Sequence, residues 1–372
     1  MLTARLPEKL RINGDAIAKL FKPKTPPMIG VDISSSSVKL VELADAGKGR
    51  YRLERYAIEP MPKDAVVDGN VMNLEAVGET MRRGWKRMGT RIKNVAMALP
   101  SAQVITKKIV VPAGLREEDL EVQVETEANQ YIPFALEEVN LDFQIIGPSP
   151  TNAEEVEVLI AASRKEKVED RVACAEVGGL KAVVMDIDSF AAQNAFEIVQ
   201  ADLPDGGKDL VIALVDIGAS LMIINVMRNN TSVYMREQPF GGNQLTQEIQ
   251  RHYNLSPEEA EAAKRSGGLP ETYENEVVQP FMETLGSEVT RALQFFFTST
   301  QFSNVDHIYL SGGTATLPGL DAVVSKRTNV TTHIVNPFAA MDVAAKIKGQ
   351  QLDQDGPALV VACGLALRRF DQ

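Results

Sequence analysis

This chain has few of the residues that build redox and metal centres. It holds two cysteines, three histidines and one tryptophan in 372 residues. Cys174 and Cys363 lie far apart and form no CxxC pair, so no disulfide framework is encoded and a reducing compartment suits the chain. His252, His307 and His333 are scattered without metal-ligand spacing. There is no P-loop and no nucleophile elbow. No apolar stretch approaches the roughly 20 residues that span a bilayer. Charges run through the first two dozen positions, unlike a secretory signal. Basic charge is in short supply, with 39 Lys and Arg against 50 Asp and Glu and a net charge of −11. That balance argues against nucleic acid as a partner, because its binders carry a basic face.

What is present is the composition of a globular protein, 44% hydrophobic and 24% charged. The length suits about two domains at roughly 150 residues each. Three distant segments share one design. Gly30 to Lys39 reads GVDISSSSVK, Val215 to Ser220 reads VDIGAS, and Ile308 to Ala315 reads IYLSGGTA. Each begins as an apolar β run and ends in small residues. The first two place Asp32 and Asp216 at a strand tip, before a turn of hydroxyls or glycine.

That pattern suits a nucleotide. The amides and hydroxyls of Ser34, Ser35 and Ser36 are donors for phosphate oxygens. Lys39, on the returning strand, reaches a β- or γ-phosphate as a point charge. Asp216, Gly218 and Ala219 give a second carboxylate and a glycine that lets backbone approach a ligand. Asp32 and Asp216 facing each other suit Mg²⁺, which keeps several waters and takes few protein ligands. Gly312, Gly313 and Thr314 let adenine or ribose pack on backbone. Asn243 after Gly241-Gly242, and Glu261 or Lys264 on the next helix, are candidates for ribose or adenine contact. Each segment alone is an ordinary polar turn or solvated helix. The ordered trio is what points to ATP.

The pattern of elements is α/β. Residues 1–27 form an N-terminal extension in which Leu6, Leu10, Ile17, Leu20 and Phe21 line one side of a helix among basic residues. It reads as a frayed extension, or else as a basic amphipathic membrane contact. Residues 28–103 and 188–209 are expected as a first lobe, and 210–372 as a second lobe that repeats the opening theme. Between them, 104–187 is expected to form an inserted subdomain of two strand–helix–strand units. The neighbouring Phe295, Phe296 and Phe297 read as core.

The trio resembles the two phosphate segments and the adenosine segment of the actin/Hsp70/sugar-kinase ATPase superfamily. Within it the chain resembles the PilM family of type IV pilus assembly. Leu20-Phe21-Lys22, the run GVDISSSSVKLVEL from Gly30 to Leu43, and above all ANQYIPFALEEVNLDFQ from Ala128 to Gln144 carry the resemblance. It covers about residues 20–370. It implies an actin-like, ribonuclease H-like fold of two lobes with an inserted subdomain of the FtsA type. It implies ATP and Mg²⁺ between the lobes, and a cytoplasmic protein peripheral to the inner membrane through its partners. Those partners are the cytoplasmic N-terminal tail of PilN, bound in a groove involving the insertion, and other inner-membrane pilus assembly proteins; self-association is allowed. Ser34 departs from the family, whose members carry glycine there, and its Cβ is expected to tighten the phosphate turn. Asp188 and Gln193 match the place where active relatives keep a water-positioning acid or glutamine. Val122, Tyr131 and Phe134 are the candidate partner contacts, whereas Ile132 reads as core.

The expected function is an ATP-binding scaffold with weak or no hydrolysis. The alternatives are an active ATPase or small-molecule kinase, and an FtsA-like filament that tethers itself to membrane. The kinase would need a catalytic aspartate in a sugar pocket, and no segment offers one clearly. The tether is expected to need a terminal amphipathic helix after the last core helix, where this chain has only Arg368 to Gln372.

Overall fold

The computed structural model describes residues 26–371. The helix expected over Leu6–Phe21 lies outside the described residues. The fold consists of two twisted sheets, a small inserted sheet and the helices that cover them.

The first sheet uses β1 (Ile29–Ile33), β2 (Ser37–Gly47) and β3 (Arg50–Pro60) as an antiparallel meander. A two-stranded hairpin, β4 (Val66–Val67) and β5 (Asn70–Val71), leads to α1 (Leu74–Met88) and β6 (Asn94–Leu99). β6 runs parallel to β1. The alternation written in the sequence sets the faces. Ile29, Val31, Val38 and Leu40 enter one core with Val77 and Met81 of α1. The period of two therefore turns Gly30, Asp32 and Lys39 to the opposite face.

The second sheet repeats this unit with β11 (Val211–Ile217), β12 (Met222–Arg228) and β13 (Thr231–Gln238), and with β14 (His307–Ser311) parallel to β11. Val215, Ile217, Met222 and Ile224 enter a core with Phe281, Leu285 and Phe296. Asp216 falls on the other face. The expectation of two versions of one unit is met in strand order and in register.

The inserted unit has its own core. β7 (Ile105–Pro112), β8 (Val139–Pro148) and β9 (Glu155–Arg164) form a sheet in the order β7-β9-β8, covered by α2 (Glu117–Tyr131). Leu120, Val124 and Ala128, at the i, i+4, i+8 spacing of one helix face, pack on Ile109, Val158 and Ile160. The expected boundary at 187 is too late. The next helix, α3 (Lys165–Val177), packs on α1 through Cys174 and Ala175. The strand after it, β10 (Lys181–Ile187), pairs with β6 at the edge of the first sheet. The insertion is thus 105–164, and its chain ends leave side by side, where Ile105 pairs with Ala162.

The second boundary also moves. β15 (Thr331–Ile334) closes the second sheet, but β16 (Asp342–Val343) joins the first sheet beside β3. The final helix packs on β1 and on α4 (Asp188–Gln200). Residues beyond about 335 return to the first lobe because their apolar side chains are buried there. Phe338, Met341, Leu359 and Val360 share one core with Val41 and Leu43 of the first sheet and Ile212, Leu214 and Tyr309 of the second. The helices that complete the second lobe are α5 (Gly242–Tyr253), α6 (Pro257–Ser266), α7 (Gln279–Ser299) and α8 (Leu320–Thr328). The chain closes with α9 (Gly349–Asp355) and α10 (Val360–Leu367).

Two glycines let α10 sit where it does. A Cβ on Gly30 would overlap the Ala362 carbonyl, and one on Gly364 would overlap the Ala191 carbonyl of α4. Gly364→Val should therefore lose more than about 3 kcal/mol of stability, since overpacking against backbone cannot relax by a rotamer change. Urea unfolding checks this; a loss under 1 kcal/mol would mean α10 can shift away.

Candidate functional site

The β1–β2 and β11–β12 turns are conformational twins. Ser34 N–H donates to the Ser37 carbonyl at 3.0 Å, and Gly218 N–H donates to the Leu221 carbonyl at 2.9 Å. Each bond joins the residue two places past the strand-end aspartate to the residue three further on. Ser35 and Ser36 in one turn, and Ala219 and Ser220 in the other, donate their amides to no protein acceptor among the described residues. The turn tips approach each other, with Ser35 Oγ 3.4 Å from Ser220 Oγ. Four amides and three hydroxyls thus converge between the lobes.

The charged groups lie behind these tips. Asp32 and Lys39 are register partners on β1 and β2, and Lys39 Nζ donates to Asp32 Oδ2 at 2.7 Å. It also lies 3.5 Å from Ser34 Oγ. Ser34 does not have positive φ, so its Cβ is tolerated and its hydroxyl folds back onto the Ser37 carbonyl at 3.1 Å. Asp216 is aligned with Ser311 of β14, whose hydroxyl donates to it at 3.0 Å. Burial pushes the Asp216 carboxyl up; Lys39 and the Ser311 bond oppose this, and Asp32 adds to it.

The third segment packs on the second turn. Gly312 has φ +90°, and a Cβ there would overlap the Ile217 carbonyl. Thr314 Oγ1 donates to the Gly218 carbonyl at 2.9 Å. Gly313 faces open space. Gly242 and Asn243 at the start of α5 donate their amides to the Gly218 and Ala219 carbonyls. The Asn243 side chain donates to Ser220 Oγ at 3.0 Å. Lys264 on α6 reaches Thr246 Oγ1 at 2.7 Å and Glu261 Oε2 at 2.5 Å, close to the Gly242 carbonyl. Asn243, Lys264, Gly313 and Thr314 are therefore neighbours.

Asp188 and Gln193 part company. Asp188 begins α4 and accepts from Ser101 N–H at 3.0 Å, Ser101 Oγ at 2.5 Å and Ser189 N–H at 2.7 Å. Burial pushes its carboxyl up to about 7; those donors oppose the shift, and Asp32 and Glu237 add to it. Gln193 does not join the cleft. It donates to the Asn230 carbonyl at 2.6 Å, in the β12–β13 turn at the opposite end of the second sheet. At roughly 3.3 Å per strand residue that is about 20 Å from Asp216. Gln193 is five residues from Asp188, so the helix carries it to another face.

Several site residues escaped the sequence reading. Ser220 and Ser311 sat inside the quoted segments, and pairing their strands would have found them. Ser101 and Glu237 have no local signal. Burial pushes the Glu237 carboxyl up, and the Ala102 amide opposes this, so the turn after β6 touches both Asp188 and Glu237. Arg171 of α3 is buried; it donates to the Gly69 carbonyl at 2.8 Å and leaves Nη1 without a partner among the described residues. Burial lowers its pKa, and Asp32 and Asp188 oppose this.

The inserted unit supplies the second candidate surface. It carries seven of the thirteen exposed large apolar residues among the described residues, Val122, Tyr131 and Phe134 included. Lys107 Nζ lies 4.7 Å from the Tyr131 ring centre, and the Arg164 guanidinium carbon lies 5.2 Å from that of Phe134. These two rings share one cation-topped end of the sheet. Val122 stands about half a turn round α2 from Tyr131, on the solvent side, so it belongs to another face. Ile132 is core, as expected.

A family model described as type IV pilus assembly protein PilM matches residues 30–370. This chain belongs to that family. A solved PilM–PilN type IV pilus biogenesis complex superposes with a TM-score of 0.78 at 31% identity, covering 94% of this chain and 100% of that one. The cell division protein FtsA of Bacillus subtilis is 26% identical over 216 residues, 58% of this chain; the chain thus spans only 44% of that relative. The ethanolamine utilization protein EutJ of Carboxydothermus hydrogenoformans shares the fold, with a TM-score of 0.52 at 17% identity over 96% of both chains.

Asp188 generates a pH prediction. Its folded pKa is raised from 3.8 to about 7, so the folded chain holds this proton more tightly than the unfolded chain. Stability from this group is present below about pH 4 and is lost as pH rises to 7. Asp188→Asn, which keeps the acceptor without the charge, should gain melting temperature relative to the parent between pH 5 and pH 8. Scanning fluorimetry showing a constant difference would remove the titration from Asp188.

Proposed function

We propose that this chain is a cytoplasmic ATP-binding scaffold of the type IV pilus inner-membrane complex. It holds Mg·ATP between its two hairpin turns and the cytoplasmic tail of a PilN-type protein on its inserted unit. The observation that carries the nucleotide half is the approach of the twin turns, with four amides that have no acceptor among the described residues and with Lys39 behind them. Donors so arranged suit the oxygens of a polyphosphate. Gly313, open to space beside Thr314 and Lys264, suits the nucleoside end. Among the described residues no three His, Cys, Asp or Glu side chains are grouped to hold a metal directly. That fits magnesium carried by the nucleotide and held through water near Asp32 and Asp216.

Bound Mg·ATP would supply an anion that ties one lobe to the other and a cation that offsets the carboxylates. The chain's own residues then divide the work. Lys39 shares its charge between Asp32 and phosphate, the tip amides orient the anion, and Ser311 keeps Asp216 in place. One observation favours a second reading, slow hydrolysis. Asp188 titrates near 7, within the useful range of a general base. Its three donors occupy it, which favours the scaffold.

The partner half rests on the exposed apolar surface of the insertion and on a family member's complex with PilN. A tail with apolar anchors suits the exposed rings, and the exposed Glu121 and Glu125 of α2 suit basic residues in it, because anchors supply affinity and charges mostly speed encounter. No described helix is long and apolar enough to cross a membrane, so a membrane-protein tail would bring the chain to the bilayer.

Two experiments test the halves separately. Asp216→Ala should weaken Mg·ATP at least tenfold in calorimetry, about 1.4 kcal/mol; unchanged affinity would sink the site. Replacing residues 105–163 with a short glycine–serine linker should abolish capture of a PilN-tail peptide while Mg·ATP binding persists. Retained peptide would place the groove elsewhere.

A further inference from the structure

Positive charge is scarce in this chain, yet it gathers at one place. Residues 82–93 read RRGWKRMGTRIK, with six Lys and Arg and no Asp or Glu. They run from the last turns of α1 through its cap at Gly89 to the residue before β6. Lys181, the first residue of β10, joins them, because its amide donates to the Lys93 carbonyl at 2.8 Å. Register fixes the place. Val95 aligns with Ile29 and Asn94 with Lys181, all at strand starts, so the cluster stands at the end of the first sheet opposite the β1–β2 turn. The insertion follows the other end of β6. The cluster is therefore remote from both surfaces described above.

Part of this charge is used locally. Arg82 pairs with Glu79, and Arg83 and Arg87 face Glu59 at 3.9 and 3.0 Å. Lys86 and Arg87 also complement the carbonyl end of α1. Neither account reaches Arg91, Lys93 and Lys181, which lie beyond that helix. Lys86, Arg91, Lys93 and Lys181 are exposed and have no carboxylate partner among the described residues. No large apolar side chain is exposed between residues 82 and 93, so a protein partner would find no anchor for affinity. The one large ring, Trp85, donates Nε1–H to the Ile92 carbonyl at 2.7 Å, and Lys93 Nζ lies 5.6 Å from its centre. No free ring is offered to a nucleobase. What the face presents is dispersed positive charge, which suits a surface of anionic headgroups.

We propose that this end of the first lobe rests on anionic phospholipid, with Lys86, Arg91, Lys93 and Lys181 as the contacts. The rest of a chain of net −11 is repelled by the same surface, so the patch both attracts and orients the molecule. Four unpaired cations give a weak, reversible and salt-sensitive hold. Such a hold becomes effective when a second contact keeps the chain at the bilayer. The lipid contact itself goes beyond the tail reading, because it needs no protein in the membrane.

Co-sedimentation of the full chain with vesicles, with no PilN peptide present, tests this. Vesicles of phosphatidylglycerol in phosphatidylcholine should retain the chain, and phosphatidylcholine alone should not. Raising salt from about 0.1 M to about 1 M, where the screening length falls from roughly 10 to 3 Å, should release it. The triple variant Lys86→Glu, Arg91→Glu, Lys93→Glu should lose about tenfold or more in vesicle partition. The same three positions changed to Gln, a milder substitution, should lose in the same direction at an unchanged melting temperature. A control with equal charge change on exposed lysines elsewhere, Lys208→Glu, Lys326→Glu, Lys346→Glu, should keep most of the binding. Equal retention on phosphatidylcholine, equal loss in the control, or tighter hold on single-stranded RNA than on the anionic vesicles would overturn the proposal. So would retention that survives the patch variants, which would assign the contact to another surface.

Discussion

The fold depends on how closely α10 can approach its neighbours. Helix against strand at Gly30, and helix against helix at Gly364, meet backbone to backbone with no side chain between. That contact carries the last residues of the chain back to the first lobe. It also completes the apolar core shared by both sheets, in which Phe196 meets Tyr309 across 4.8 Å. With the sheets joined at that depth, the β1–β2 and β11–β12 turns face each other. The site is a consequence of the packing beneath it.

Electrostatics then shapes what the cleft will accept. Lys39 pairs with Asp32 and acts on Asp216, Asp188 feels both Asp32 and Glu237, and burial raises the carboxyls of Asp188, Asp216 and Glu237. An anion alone would meet repulsion here, whereas an anion accompanied by a divalent cation would relieve it. The turn of Ser101 and Ala102 links Asp188 to Glu237 across the lobes. Three residues after Ala102 the insertion begins, and Ser163 at its far end donates to the Gln103 carbonyl at 2.9 Å. The insertion is rooted next to the candidate cleft, though its core is separate.

The insertion differs from the lobes in what it leaves outside. Among the described residues both its outer strands are free edges, and seven of its large apolar side chains are exposed. A small sheet under one helix cannot bury all its large side chains, and Val122 is left exposed on a different face from Tyr131 and Phe134. Arg164 and Lys107 over aromatic rings keep part of that surface wetted.

The sequence by itself determined the strands, the repeated unit and most residues of the candidate cleft. Alternation at Ile29–Ile33 and Val211–Ile217 fixed which residues are core, and so which face Asp32 and Asp216 must take. The strand-end turns announced themselves through small and hydroxyl residues. Tertiary structure decided what local pattern could not carry. β10 looks like any strand, and only its pairing with β6 places it in the first lobe rather than the insertion. Residues 335–371 follow the second lobe in sequence but bury their apolar side chains with the first. Asp188 and Gln193 lie on one helix, yet one enters the cleft and the other caps a remote turn. Ser101 and Glu237 reach the site only through contacts between distant segments. Periodicity fixes the direction of a side chain within its own element, whereas its neighbours depend on how elements pair and pack over long separations.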